Sequence, residues 1–180
     1  TIYSGLSSVY KKIPDDDVAL STVKQKYQLP DNFILFLGTV EPRKNIIGLI
    51  KAFEIVKKNK TSDLKLVIAG GRGWKANPVY KAAKQSLYAS DIIFLDYVPA
   101  NEKVYLYNLA NVFAYTSFYE GFGFPPLEAM ASGTPTIVSA VSSLPEVVEN
   151  GAIMIDPYNP ASIAIALQEV LEDETLRSHL

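Results

Sequence analysis

The 180-residue sequence contains no cysteine, and its one histidine, His179, stands one residue from the end. These absences exclude disulfides, thiolate nucleophiles and cysteine-based zinc sites, and they leave no imidazole placed for a serine–histidine triad. Any chemistry must therefore use carboxylates, Arg and Lys, hydroxyls or backbone dipoles. Long apolar runs are missing too. A strong one, Phe33 to Leu37, is far short of the roughly 20 residues a membrane helix needs, and no stretch reads as a signal peptide. There is no P-loop, and Gly70-Gly71-Arg72-Gly73 departs from the G-x-G-x-x-G dinucleotide fingerprint. Positive charge is not in excess: 17 Lys and Arg against 19 Asp and Glu give a net charge of −2, which argues against nucleic acid as a partner.

What is present is a soluble globular balance, 48% hydrophobic and 20% charged, in a length that suits one domain with a sizeable core. The charge is unevenly spread. Residues 1–103 hold 16 Lys and Arg against 10 Asp and Glu, net +6, while residues 104–180 hold Arg177 alone against 9 acids, net −8. Chance placement on solvated helix faces would account for this. So would one site in which one half supplies cations for phosphate and the other supplies carboxylates for hydroxyls.

Residues 1–32 read as a lead-in, with a turn at Tyr3-Ser4-Gly5-Leu6, a helix start at Pro14-Asp15-Asp16-Asp17 and a short helix from Val18 to Tyr27. From residue 33 to 180 short apolar runs alternate with helical periodicity. Strands are expected at Phe33–Leu37, Leu64–Ala69, Asp91–Leu95, Asn111–Tyr115, Thr136–Ser139 and Ala152–Ile155. Between and after them, helices are expected at 45–59 behind Asn45 as N-cap, from Asn77-Pro78, at Glu102–Leu109, at Pro126–Ala131 stopped by Gly133, at Pro145–Glu149 and at Pro160–Leu171. Six strands separated by helices imply an α/β fold with one open, doubly wound parallel sheet. Ligands of such sheets bind beyond the carboxyl ends of the strands.

Two of those strand ends carry unusual residues. After the first strand, Arg43-Lys44 lie just before a helix N-terminus, where the macrodipole disfavours cations. A bound diphosphate would reconcile the placement, although two exposed loop cations would look the same. After the fourth comes Tyr119-Glu120-Gly121-Phe122-Gly123-Phe124-Pro125-Pro126-Leu127-Glu128. Its glycines allow close backbone approach to a ligand, and Pro126 pre-sets a first helical turn. Glu120 and Glu128 suit sugar hydroxyls, while Glu128 also suits a helix N-terminus without any ligand. Core packing is expected for one of Phe122 and Phe124. Asp15-Asp16-Asp17 matches a D-x-D metal pattern but reads as an exposed helix start, and Asn59-Lys60-Thr61 fits a glycosylation sequon.

The E-x₇-E segment from Glu120 to Glu128, Gly38-Thr39-Val40-Glu41-Pro42-Arg43-Lys44-Asn45, Pro135-Thr136-Ile137-Val138-Ser139 and Leu144-Pro145-Glu146-Val147-Val148 together resemble the retaining glycosyltransferases of family four, of GT-B architecture. The resemblance runs from about Tyr3 to Leu176. It implies the Rossmann-like C-terminal, donor-binding domain, with the N-terminal acceptor domain and its active-site histidine absent from this chain. Arg43 and Lys44 would then contact the donor diphosphate, and Glu120 would face the transferred sugar. Gly121, Phe122, Gly123 and Phe124 would line the sugar and phosphate, the last three through backbone N–H groups. Glu128 would hold the ribose, and the Val98 backbone would meet the base.

The same resemblance implies hexose transfer from a nucleoside-diphosphate sugar, GDP-mannose first, with retention of anomeric configuration and no metal or other cofactor. The acceptor would be a sugar or a lipid-linked sugar, and the setting cytoplasmic, at the inner face of a membrane if the acceptor is lipid-linked. The isolated domain would bind donor but transfer poorly or not at all. A sugar-nucleotide epimerase or phosphorylase of the same architecture, or a non-catalytic nucleotide-sugar-binding module, would share many of these features.

Overall fold

The computed structural model describes residues 5–59 and 63–180. The expected turn at Tyr3-Ser4-Gly5-Leu6 and the sequon Asn59-Lys60-Thr61 fall partly outside them. Strands β1 (Phe33–Leu37), β2 (Lys65–Ala69), β3 (Ile92–Leu95), β4 (Val112–Tyr115), β5 (Thr136–Ser139) and β6 (Ile153–Ile155) form one sheet in the order β3-β2-β1-β4-β5-β6. Every pairing is parallel. All residues of β1, β4 and β5 are buried, as strands covered on both faces require. The order reverses between β1 and β4, and such a switch opens a crevice at the carboxyl edge.

The helices are α1 (Val18–Lys26), α2 (Ile46–Asn59), α3 (Asn77–Gln85), α4 (Ala100–Leu109), α5 (Phe124–Ala131), α6 (Leu144–Val148), α7 (Pro160–Glu172) and α8 (Glu174–His179). They pack as two groups, α2 with α3 and α7, and α4 with α1 and α5. Asp17 caps α1 by accepting from Ala19 N–H at 2.8 Å, so the acidic triplet is a helix start. Asn159 caps α7 in the same way at 3.0 Å. The sequence reading did not include α8, a short final turn capped by Asp173.

The lead-in is bound to the domain rather than loose beside it. Asn108 of α4 accepts from Ile13 N–H at 2.8 Å and donates to Lys11 O at 3.0 Å. Ile13, Leu20 and Val104 close a small apolar cluster over this junction.

At the carboxyl edge the loops after β1 and β2 touch backbone to backbone. Gly70, at φ +143°, sits where a Cβ would lie 2.1 Å from Gly38 O, so a side chain there would push the two strand ends apart.

Candidate functional site

Of the segment after β1, the structure makes a short 3-10 turn, Pro42–Lys44, followed by Asn45 in the left-handed region at φ 53° and ψ 36°. Asn45 does cap α2, its Oδ1 accepting from Gly48 N–H at 3.2 Å, but from a left-handed rather than an extended backbone. Its Nδ2 donates to Pro157 O at 2.7 Å, 112 residues away. Phe118 N–H donates to Arg43 O at 2.9 Å, and Thr116 Oγ1 donates to Lys44 O at 3.3 Å. The loops after β1, β4 and β6 are thus laced together, and the cations are held on a fixed backbone.

Both cations turn toward Glu120, from the loop after β4. Lys44 Nζ lies 2.7 Å from Glu120 Oε1 and 2.6 Å from the Tyr115 hydroxyl, while Arg43 Nη1 lies 2.8 Å from Glu120 Oε2. Arg43 also pairs with Glu41 at 2.7 Å and donates to Tyr119 O at 2.7 Å. Lys44 and Glu120 are each only 7% exposed. Burial alone would raise the Glu120 carboxyl. Hydrogen bonds from Lys44 and Arg43 outweigh it and hold the group below the usual carboxylate range. The Tyr115 hydroxyl is pushed far up, first by burial and then by the Glu120 charge. At neutral pH the cluster is therefore two cations facing two carboxylates. Lys44 is buried while Arg43 stays solvent-exposed, and the pairing of both with Glu120 is a feature that residue types alone could not reveal.

The glycine loop is braced from beyond β5. Glu120 N–H donates to Ser142 Oγ at 3.0 Å, and Ser143 Oγ donates to Glu120 O and Phe122 O, both at 3.0 Å. Ser142 and Ser143 were not among the expected site residues, although inspecting the residues just past each strand leads to them. Gly123 adopts φ +107°, where a Cβ would also meet Leu144 Cδ2 at 2.6 Å. Helix α5 then starts at Phe124, two residues earlier than the periodicity placed it, with no side chain capping its N-terminus. The N–H groups of Phe122, Gly123 and Phe124 find no hydrogen-bond acceptor among the described residues. That open helix start, beside Arg43 and Lys44, is suited to an anion.

Phe122 and Phe124 correct one expectation: neither joins the core. Phe124 is 40% exposed, Phe122 is half-buried, and their rings lie 4.9 Å apart at the rim. Gly121 is exposed, with open space where a Cβ would be. The Val98 side chain is buried in the core, leaving its backbone in the loop between β3 and α4. Glu128 lies on α5 and is half-buried, accepting from the Tyr107 hydroxyl at 2.8 Å rather than joining the Glu120 cluster. Among the described residues no group of three His, Cys, Asp or Glu side chains is close enough to hold a metal ion.

Residues 21–180 match the family described as Glycosyl transferases group 1. The chain belongs to that family. It is 39% identical over 166 residues to O-antigen chain mannosyltransferase B of Escherichia coli, covering 92% of this chain and 44% of that protein. With O-antigen chain mannosyltransferase RfbU of Salmonella typhimurium it shares 33% over 165 residues, again 92% and 44%. It thus spans less than half of these glycosyltransferases. Among solved structures, that of Anabaena Alr3699/HepE in complex with UDP and glucose superposes with a TM-score of 0.84 at 20% identity, over 99% of this chain and 48% of that one. The C-terminal domain of LpcC, a glycosyl transferase group 1 family protein from Francisella tularensis, gives 0.81 at 24%, over 97% and 92%. The sheet is accordingly the Rossmann-like domain of GT-B glycosyltransferases. No helix among the described residues is long and apolar enough to cross a membrane.

Proposed function

We propose that this chain is the donor-binding part of a retaining, metal-independent glycosyltransferase that takes a hexose from a nucleoside-diphosphate sugar, GDP-mannose first, and adds it to a saccharide acceptor, free or lipid-linked. The observation that carries the reading is the Arg43–Glu120–Lys44 cluster at the switch point, beside the uncapped start of α5. Mannosyltransferases among the relatives support mannose as the sugar. When the bond between the anomeric carbon and the diphosphate oxygen breaks, positive charge develops on the sugar ring and negative charge on the departing diphosphate. Arg43, Lys44 and the N–H groups of Phe122, Gly123 and Phe124 would neutralise the second, and Glu120 would meet the first. Glu128 takes the ribose, and the Val98 backbone takes the base. Two fixed cations can do for the leaving group what a divalent metal does elsewhere.

The test is calorimetry of the chain against GDP-, UDP-, ADP- and dTDP-sugars, with and without EDTA. Binding of a GDP-sugar that EDTA leaves unchanged is expected. Binding to none of them would remove the donor site, and EDTA-sensitive binding would overturn the metal-free reading. Retention is read from the anomeric configuration of the product made by the full-length enzyme.

A further inference from the structure

Glu128 is the one proposed ligand-binding carboxylate whose position depends on residues outside the loops at the strand ends. Tyr107 is fully buried in α4, and its hydroxyl spends its proton on Glu128 Oε2 at 2.8 Å. Tyr10, from the lead-in, stands edge-on to Tyr107 with ring centroids 6.1 Å apart. Burial, followed by the charge and hydrogen bonding of Glu128, pushes the Tyr10 phenol up to about 12. The same burial and the same carboxylate raise Tyr107. Asn108, one residue beyond Tyr107, ties the lead-in down through Lys11 O and Ile13 N–H. One helix therefore carries the phenol that donates to Glu128 and the amide that holds the lead-in, with Tyr10, against that phenol.

We propose that Tyr10 and Tyr107 are positioning residues that hold the Glu128 carboxylate in a single orientation for a vicinal diol, so that the segment preceding the first strand helps to build the nucleoside subsite. This rests on the donor-site reading above and adds to it the source of the carboxylate's orientation. An ionised carboxylate offers about four lone-pair positions. The Tyr107 hydroxyl occupies one of them, with Tyr10 packed edge-on against its ring, and the remainder accept from the two hydroxyls of a ribose. A half-buried Glu on a helix surface otherwise samples several rotamers, and ordering it would weaken ligand binding. The clamp settles that orientation before the ligand arrives.

The experiment compares Tyr107→Phe, Tyr10→Phe and the wild-type chain by calorimetry against GDP, 2′,3′-dideoxy-GDP and inorganic pyrophosphate. Each variant should bind GDP more weakly by roughly three- to tenfold, the range implied by ordering one side chain on binding. Affinity for dideoxy-GDP and pyrophosphate, which lack the diol, should not change. Variants that bind GDP as the wild type does overturn the clamp while leaving the donor site intact. Equal losses for GDP and pyrophosphate also overturn it, because they mark a merely structural role. A wild-type chain that binds neither GDP nor pyrophosphate overturns the donor-site reading itself. Carbon-13 tyrosine NMR of the unliganded chain gives a ligand-free check: Glu128→Gln should bring the Tyr10 ionisation down toward the ordinary phenol value. An unmoved Tyr10 would refute the contact.

Discussion

Replacing Glu120 with Gln keeps the shape of the side chain and removes the charge shared by Arg43 and Lys44. Lys44 is then a buried cation left with neutral partners, the new amide oxygen and the Tyr115 hydroxyl at 2.6 Å. Deleting one partner of a buried ion pair costs about 3–5 kcal/mol. Arg43, with a side chain 42% exposed and Glu41 still beside it, adds little. With the Tyr115 bond retained, the lower end, about 3 kcal/mol, is expected. In urea, which does not screen charge, that moves the unfolding midpoint down by about 1.5 M for an m value of about 2 kcal/mol/M. The same change takes the cluster from balanced to net +1, so inorganic pyrophosphate should bind the variant more tightly. Two unit charges 4 Å apart exchange about 4 kcal/mol in a surface-like dielectric. A third of that, about tenfold in affinity, is a modest expectation. Pyrophosphate at about 100 times its dissociation constant should then restore about 2.7 kcal/mol. A Glu120→Gln chain as stable as wild type, or one that binds pyrophosphate no better, would refute the idea that Glu120 neutralises the anion site when no donor is bound.

Other outcomes follow from local geometry. Gly123→Ala forces a side chain into φ +107° and against Leu144, and should cost at least about 1–3 kcal/mol in thermal melts while weakening pyrophosphate binding. Glu149 occupies φ 48°, ψ −116° in a tight turn closed by Gly151 N–H donating to Val148 O at 2.9 Å. Because that corner favours glycine, Glu149→Gly should raise stability by about 1 kcal/mol; a lower melting temperature would contradict the strain. For the pH profile, Glu120 is held below its ordinary value, and so is Asp91, where Lys57 and Lys65 outweigh burial. Depressed carboxylates contribute their full stability above the unfolded pKa of about 4 and lose it as pH falls through the folded values. Melting temperature should therefore be insensitive to these groups from pH 8 to 5 and fall below about 4; a rise on acidification from pH 5 to 4 would argue against the pairing.

The sheet was legible because its signals are local. Phe33–Leu37 is an apolar run between Asn32 and Gly38, and Thr136–Ser139 is a short β-branched run opened by Pro135, the patterns a fully buried parallel strand shows. Errors came where backbone geometry overrides periodicity. Pro125 and Pro126 suggest a start at the second proline, whereas Gly123 in the left-handed region opens α5 at Phe124. The placement of Arg43, Lys44 and Glu120 at the carboxyl edge followed from strand order. Their mutual pairing did not, because it spans 76 residues and leaves no spacing to read. Tyr107 was hidden for a related reason: in sequence it is one more apolar position on a helix, and only its partner gives its hydroxyl a meaning.

The hydrogen bond from Asn45 to Pro157 O also bears on how the chain folds. It fastens the loop after the first strand to the loop after the last, across 112 residues. Contacts of that separation form late, because a long loop must close before they contribute. The centre of the sheet, β1 to β4, can therefore pair while the segment bearing Arg43 and Lys44 still lacks its anchor. An edge that depends on the last strand is complete only once the whole sheet is, so chains that stop short of it carry Arg43 and Lys44 without the anchor that fixes their loop.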